Sequence, residues 1–153
     1  MGRHLLVVHH TRTGTTASLR DAVLAGVAGV GGAVTVRSLP TVDAGAWDVR
    51  WAEAVVLCSP ARFGYMSGAL KDFFERIYHP CLDETGGLPY ALVVKGDTDV
   101  DGAVASVERI VAGLRWRAFA PPVTVVGPLT GTGLDAAAGL GATVAASLDA
   151  GML

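Results

Sequence analysis

The most informative stretch of the chain is residues 5–16, which read Leu5-Leu6-Val7-Val8-His9-His10-Thr11-Arg12-Thr13-Gly14-Thr15-Thr16. The run Leu5–Val8 is apolar throughout, and such a run predicts a β-strand that is buried on both faces of a sheet. Beyond it, Leu19, Val23, Val27 and Val30 recur every three to four residues and predict an amphipathic helix. Residues 5–16 therefore join a buried strand to a helix through a turn rich in threonine.

The rest of the chain repeats this alternation of strand and helix. Three more apolar runs predict buried strands, and one alternating segment predicts a more exposed strand: Ala54–Cys58, Ala91–Val94, Val123–Val126 and Ala33–Arg37. Helical periodicity covers residues 66–77, 104–114 and 134–148, and residues 43–50 predict a one-turn helix or a loop. The pattern is typical of an α/β fold with five parallel strands in the order 2-1-3-4-5 and helices on both faces. We expect a single domain over residues 1–153.

The composition excludes several classes of protein. Of the 153 residues, 51% are hydrophobic and 17% are charged, which excludes a disordered chain. The formal net charge of −2 argues against a nucleic-acid binder. Two cysteines are too few for a disulfide framework, the first apolar run is too short for a signal peptide, and prolines interrupt the uncharged segment 118–134. We therefore expect a cytoplasmic protein that binds no nucleic acid and does not insert into a membrane.

The turn after the first strand has the composition of a phosphate-binding loop. Its six consecutive residues are Thr11, Arg12, Thr13, Gly14, Thr15 and Thr16. A helix N-terminus presents free N–H groups and a positive partial charge, and threonine hydroxyls add further donors around an anion. The alternative is that Thr15 or Thr16 merely caps the helix, although a cap needs only one such residue. The nucleotide-triphosphatase motif is excluded because it requires a lysine, and the dinucleotide fingerprint is absent at this turn.

A second strand-to-helix turn contains a loop that suits a flat ligand. It follows the strand Ala54–Cys58 and reads Ser59-Pro60-Ala61-Arg62-Phe63-Gly64. Pro60 stiffens the loop, Gly64 permits a close approach of the backbone, and Phe63 offers an apolar surface to a planar ring. The alternative is a surface loop in which Phe63 packs inward and Ser67 caps the next helix.

Both loops resemble those of a known superfamily. The T-x-T-G-x-T pattern of residues 11–16 resembles the FMN-phosphate loop of the flavodoxin-like superfamily. Residues 59–71, which read S-P-A-R-F-G-Y-M-S-G-A-L-K, are similar to a segment of its NAD(P)H-dependent FMN and quinone reductases. The resemblance implies a flavodoxin-like three-layer sandwich that binds FMN. It places residues 59–64 around the isoalloxazine ring with Arg62 at the polar edge, and Ala61 stands where the family often has threonine.

The same resemblance implies the third part of the site and the reaction. The turn after Ala91–Val94 would close over the pyrimidine edge of the flavin through the backbone N–H groups of Gly96, Asp97, Thr98 and Asp99. NAD(P)H would be the co-substrate, and a quinone or a similar small molecule would be the electron acceptor. The resemblance also implies a homodimer or a homotetramer. No catalytic side chain is predicted, because the redox chemistry belongs to the cofactor.

Two further motifs have competing explanations. Residues 97–108 match the calcium-loop pattern D-x-D-x-D-G-x5-E, but the residues before them predict a strand where an EF-hand requires a helix, so no metal site is predicted. Residues 131–136 match the dinucleotide pattern G-x-G-x-x-A, but no strand follows that could carry the ribose-binding acid. We interpret them as a loop and the start of a helix.

Three functions other than a reductase are compatible with an α/β sheet of this order. A flavodoxin-type electron carrier without nicotinamide reactivity usually has a strongly acidic docking surface, which a net charge of −2 does not favour. A flavodoxin-like domain that has lost FMN and serves as a binding module stays open because of Ala61 and the acidic third turn. A phosphoacceptor receiver domain is excluded, because His9-His10-Thr11 and Cys58-Ser59-Pro60 stand where it needs acidic residues.

Overall fold

The alternation of strands and helices continues along the chain in the computed structural model, which describes residues 3–153. Its strands are β1 (Arg3–His9), β2 (Val34–Pro40), β3 (Ala54–Arg62), β4 (Tyr65–Met66), β5 (Pro89–Gly96), β6 (Arg117–Ala118) and β7 (Val123–Val126). Its helices are α1 (Thr15–Val30), α2 (Ala46–Trp51), α3 (Gly68–Cys81), α4 (Asp101–Gly113) and α5 (Gly131–Asp149). The segment that predicted a one-turn helix or a loop is therefore the six-residue helix α2.

The sheet has the predicted parallel order. β1 lies between β2 and β3, β5 pairs with the other edge of β3, and β6 and β7 pair with β5, all in parallel. The order 2-1-3-4-5 is confirmed, but its fifth strand is divided into two pieces. Pro121 and Pro122 stand between the pieces, and proline cannot donate to the ladder of hydrogen bonds.

A second departure from the prediction lies at the end of β3. This strand continues past Cys58 to Arg62 and then pairs with β4 in an antiparallel hairpin, in which Ala61 is opposite Met66 and Arg62 is opposite Tyr65. The sequence predicted a loop here, because a turn that follows a buried strand gives no periodic signal over so few residues.

Two hydrophobic cores cover the two faces of the sheet. Leu6 and Leu57 pack with α2, α3 and α4 on one face, and Leu5 and Val56 pack with α1 and α5 on the other. Consecutive residues of β1 and β3 thus point to opposite cores, which explains why both strands are apolar without alternation. None of the helices in residues 3–153 is long and apolar enough to span a lipid bilayer.

Helices α1 and α5 touch each other through their backbones. A Cβ atom at Gly26 would overlap the carbonyl oxygen of Ala138, and one at Gly141 would overlap the carbonyl oxygen of Val23. Glycine is required at both positions because no side chain fits between the helices. This contact fixes the position of α1, and with it the turn that precedes the helix.

Candidate functional site

The carboxyl ends of β1, β3 and β5 meet at one edge of the sheet. The register places His9 beside Cys58 and Pro60 beside Lys95, so the turns that follow these strands are neighbours. Between them lies a groove of about 80 Å³, which we call the central groove. Its lining consists of Arg12, Thr13, Thr15, Thr16, Pro60, Ala61, Arg62, Lys95, Gly96 and Asp97.

Every residue that lines the central groove, except Lys95, belongs to the set predicted from the sequence. The three predicted segments therefore come together in space. The strand order also reverses here: β2 lies on one side of β1 and β3 lies on the other side. Ligands of open α/β sheets bind outside such a reversal.

The N-terminus of α1 opens into the groove without a side-chain cap. The residue before the helix is Gly14, which has a left-handed backbone with φ of 95°, and its N–H donates to the Oγ1 of Thr11 over 3.1 Å. The helical ladder begins with the bond from Ser18 N to Gly14 O (3.0 Å), so the N–H groups of residues 15–17 precede it. No side chain caps the helix, and the alternative in which Thr15 or Thr16 does so is wrong.

The β3–β4 hairpin forms one side of the groove. Its turn consists of Phe63 and Gly64, which both have left-handed backbones with φ of 53° and 70°. Two such residues form the tight turn that matches the twist of a hairpin. The Phe63 ring is 98% exposed, so it does not pack inward, and the Arg62 guanidinium lies 5.3 Å from its centroid.

Contacts with α4 hold the hairpin in place. The carbonyl of Gly64 lies directly against the Cα of Gly102, where a Cβ atom would overlap it. The N–H of Met66 donates to the Oγ of Ser106 over 3.0 Å. The hairpin is therefore a fixed wall of the groove, although its tip is exposed.

Ser59 is buried beneath the hairpin and its hydroxyl is used within the loop. It donates to the carbonyl of Pro60 over 2.9 Å and accepts from the N–H of Ser67 over 3.2 Å. Ser67 in turn caps α3 by accepting from Leu70 N over 3.2 Å. The predicted cap at Ser67 is confirmed, and Ser59 supports the loop from below while Pro60 and Ala61 line the groove.

The third turn brings a charge that sequence reasoning left out. Lys95 Nζ lies 2.8 Å from a carboxylate oxygen of Asp97, and this hydrogen bond and charge lower the pKa of Asp97. Lys95 directly follows the predicted strand Ala91–Val94 and precedes Gly96 at the end of β5, so the rule that selected Gly96 would also have selected Lys95. The side of the groove at this turn is therefore an ion pair and not a free acid.

The remaining acidic residues of this turn serve the start of α4. Asp99 accepts from the N–H of Asp101 over 2.9 Å, which forms an Asx turn before α4, and the cap position of this helix is occupied by Val100. Thr98 and Asp99 do not line the central groove. Within residues 3–153, no group of three or more His, Cys, Asp and Glu side chains is arranged to hold a metal ion.

Two histidines and a cysteine lie close to the site: His9 ends β1, His10 follows it, and Cys58 is paired with His9 in β3. His9 Nδ1 lies 3.3 Å from Arg20, and the pKa of His9 is lowered by burial and by that cation. Burial and the nearby Arg12 and Arg62 also lower the pKa of His10. Burial raises the pKa of Cys58 to about 12, so this thiol stays protonated and is a core residue, as predicted.

Several solved structures resemble this chain in fold at low sequence identity. A flavodoxin from the domain Archaea is 16% identical and superposes with a TM-score of 0.82 over 95% of this chain and 98% of its own. A WrbA-like flavodoxin from Agrobacterium tumefaciens is 16% identical, with a TM-score of 0.76 over 96% of this chain and 98% of its own. The two-electron reduced flavodoxin of Megasphaera elsdenii is 15% identical, with a TM-score of 0.75 over 91% and 98%.

This chain has a flavodoxin-like fold. No protein-family model matches its sequence, and no curated protein matches it either. The predicted fold class, with its three layers and five core parallel strands, is confirmed.

Proposed function

We propose that this chain binds FMN in the central groove and passes electrons from NAD(P)H to a quinone or a similar small molecule. The observation that carries the proposal is the uncapped N-terminus of α1, which opens into the groove at the reversal of strand order. The similarity in fold to flavodoxins and to a WrbA-like protein supports it. When bound, FMN would supply the redox chemistry by taking up a hydride and returning two electrons.

The residues of the first turn fit the phosphate end of FMN. The N–H groups of residues 15–17 would bind phosphate oxygens together with the hydroxyls of Thr13 and Thr16. Arg12 adds a positive charge, and within residues 3–153 it forms no ion pair. A hydrogen bond to a charged group contributes about 1.5–3 kcal/mol, so several of them hold an anion without a lysine in the loop.

The hairpin and the third turn fit the flat end of the same ligand. Residues 59–64 would contact the ring through backbone groups along a wall that α4 holds in place. The backbone of residues 96–99 would contact its pyrimidine edge. The groove measures only about 80 Å³. The phosphate end would therefore lie in the groove, and the ring would lie along the open hairpin.

The second candidate is a flavodoxin-type electron carrier, which would use the same groove without reacting with NAD(P)H. The match to an archaeal flavodoxin over 98% of that chain favours it. The low net charge of −2 favours the reductase, because a carrier that docks on basic partners gains association rate from a strongly acidic surface. Assembly into a homodimer or homotetramer stays a prediction, which sedimentation can test.

One preparation distinguishes these functions. The purified chain is titrated with FMN while the flavin fluorescence is followed, and the complex is then mixed anaerobically with NADH or NADPH. Tight binding followed by rapid loss of the yellow colour supports the reductase. A stable yellow complex supports the carrier, and a chain that leaves the fluorescence of FMN unchanged overturns both and supports a binding module without cofactor.

A further inference from the structure

A second cavity is lined by residues of the β3–β4 hairpin. It measures about 560 Å³, and we call it the His10 cavity. Its lining includes His10, Arg12, Arg62, Phe63, Tyr65 and Ala69. Arg12 and Arg62 line the central groove as well, so the two cavities adjoin at these arginines. No sequence motif assigns a role to His10, and His10 does not line the central groove.

Three side chains of this cavity, those of His10, Arg12 and Arg62, lack an ion-pair or hydrogen-bond partner among residues 3–153. Neither Arg12 nor Arg62 forms an ion pair within the part of the chain that the structure describes. The Nδ1 atom of His10 is buried and has no hydrogen-bond partner there either. Buried polar atoms are almost always paired, so an unpaired Nδ1 beside two cations indicates that a polar partner is missing. No carboxylate belongs to the described residues that line the cavity.

The backbone holds His10 in this position. Its N–H donates to the carbonyl of Cys58 over 3.0 Å, which extends the pairing of β1 and β3 by one residue. The lowered pKa keeps the imidazole neutral near pH 7, so His10 offers one N–H donor. Arg62, whose side chain the phosphate end of FMN does not use, offers the charge. Together they suit one anionic group.

The remaining wall suits an aromatic ring. Tyr65 is 40% exposed and Phe63 is almost wholly exposed, and both side chains line the cavity. Two such rings beside a cation favour a flat apolar molecule, because aromatic surfaces stack on one another. The cavity therefore combines an anion site with an aromatic wall.

We propose that the His10 cavity binds the electron acceptor, and that this acceptor is an aromatic anion: a quinone whose ring bears a carboxylate or a sulfonate. The acidic group contacts Arg62 and His10, and the ring lies against Tyr65. The assignment as acceptor rests on the proposed function. In the overall reaction a hydride from NAD(P)H and a proton from solvent convert the two quinone carbonyls into hydroxyls, which leaves NAD(P)⁺.

Ala69 allows a test that leaves the central groove untouched. It is half-buried in the His10 cavity, is the second residue of α3 and does not line the central groove. Ala69→Asp introduces a charge that repels an anion, and Ala69→Asn has nearly the same shape without the charge. Ala136→Asp, on the exposed side of α5, changes the net charge by the same amount far from the cavity. Thermal melts of all three variants verify that they fold.

Binding is measured first, by calorimetry with 2-naphthoate and the neutral 2-naphthylmethanol on chain saturated with FMN. We expect the carboxylate to bind at least about tenfold more tightly than the alcohol. Ala69→Asp should weaken 2-naphthoate about tenfold relative to Ala69→Asn, whereas Ala136→Asp should leave it unchanged. Equal affinities for the two compounds, or equal effects of Asp and Asn at position 69, would overturn the inference.

Turnover then separates this inference from the proposed function. We expect a naphthoquinone sulfonate to have a lower KM than the neutral naphthoquinone, and Ala69→Asp to raise only the first KM. Reduction by NAD(P)H with equal KM values would overturn the inference and leave the proposed function standing. No reduction of either quinone would overturn the proposed function and the acceptor role with it, while a charge-sensitive binding of 2-naphthoate would still support the anion site.

Discussion

Two turns of this molecule contain the same three residues and begin their helices at different places. Thr13-Gly14-Thr15 leads into α1 and Thr130-Gly131-Thr132 leads into α5. Helix α5 begins at the glycine, so Thr130 is the cap and accepts from Gly133 N over 3.3 Å. Helix α1 begins one position later, at the second threonine, and Gly14 takes the cap position with no side chain to offer.

A shift of one residue in the start of the helix therefore separates a turn that caps its helix from a turn that leaves its helix without a side-chain cap, which we call the open turn. The left-handed backbone of Gly14 removes Thr13 from the cap position, so the first N–H groups of α1 keep no side-chain acceptor. At α5 the hydroxyl of Thr130 accepts a hydrogen bond from the N–H of Gly133, so this helix is capped by the chain itself. A donor that the chain satisfies itself is not offered to a ligand, so only the first turn fits an anion.

The largest expected effect comes from the hydroxyls of the open turn. Replacing Thr13 and Thr16 together by valine removes two donors and keeps the side-chain shapes. We expect the Kd for FMN to rise about 100-fold or more, since each hydrogen bond to a charged phosphate contributes about 1.5–3 kcal/mol. Fluorescence titration measures the Kd.

The matched control is the same change at the capped turn, Thr130→Val with Thr132→Val. It should leave the Kd for FMN within about twofold of the wild-type value, because those hydroxyls lie outside the central groove. Equal loss of affinity in the two double variants would remove the distinction between the turns, and unchanged affinity in Thr13→Val/Thr16→Val would remove the phosphate assignment.

The next largest effect is on stability, and it concerns the contact between α1 and α5, the helices that follow the two turns. Gly141→Ala places a methyl group against the carbonyl of Val23, and overpacking of this kind costs about 1–3 kcal/mol. Gly139 lies on the same helix with open space around it, so Gly139→Ala should stabilise the chain by about 0.5–1 kcal/mol. Urea unfolding of the two variants measures both changes, and a similar shift in both would contradict the backbone contact.

The sequence predicted the position of the site better than its internal geometry. The apolar runs and turn residues placed three loops at one sheet edge, because parallel order and strand burial follow directly from hydrophobic patterning. The exact residue at which a helix begins does not follow from this patterning, since threonine and glycine suit either cap geometry. Only the structure shows that Gly14 precedes its helix whereas Gly131 is the first residue of its helix.

Two side chains of the site were missed for a related reason. Lys95 continues a buried strand and His10 follows one, and neither belongs to a loop motif. Their importance comes from what they face: Lys95 pairs with Asp97, whereas His10 Nδ1 has no partner among the described residues. The Lys95–Asp97 pair lies within one turn, whereas the surroundings of His10 depend on how β1 and β3 pack, and no short sequence pattern specifies either.

A smaller effect tests the capped turn alone. Thr130→Val removes the bond to Gly133 N, and the loss of a helix cap costs about 1 kcal/mol of unfolding free energy. Thr130→Ser keeps the hydroxyl and should restore most of this stability. Chemical denaturation measures the difference, and FMN affinity should not change in either variant. A Thr130→Val chain as stable as the Thr130→Ser chain would show that this turn needs no cap.

The smallest expected effect is a pH dependence of stability, and it concerns only the open turn. The strand before this turn, β1, ends in His9 and is followed by His10, whereas β7 ends in Val125 and Val126. Both histidines have a pKa below the ordinary value of 6.5 in the folded chain, chiefly through burial. Below that value the unfolded chain therefore binds more protons than the folded chain, and stability falls as the pH falls. Replacing both residues by glutamine should flatten the decline in unfolding free energy between about pH 7 and about pH 5, and should change nothing between about pH 7 and about pH 8. Denaturant titrations across this range measure the slope, and parallel curves for the two chains would mean that neither imidazole is held in its neutral form by the fold.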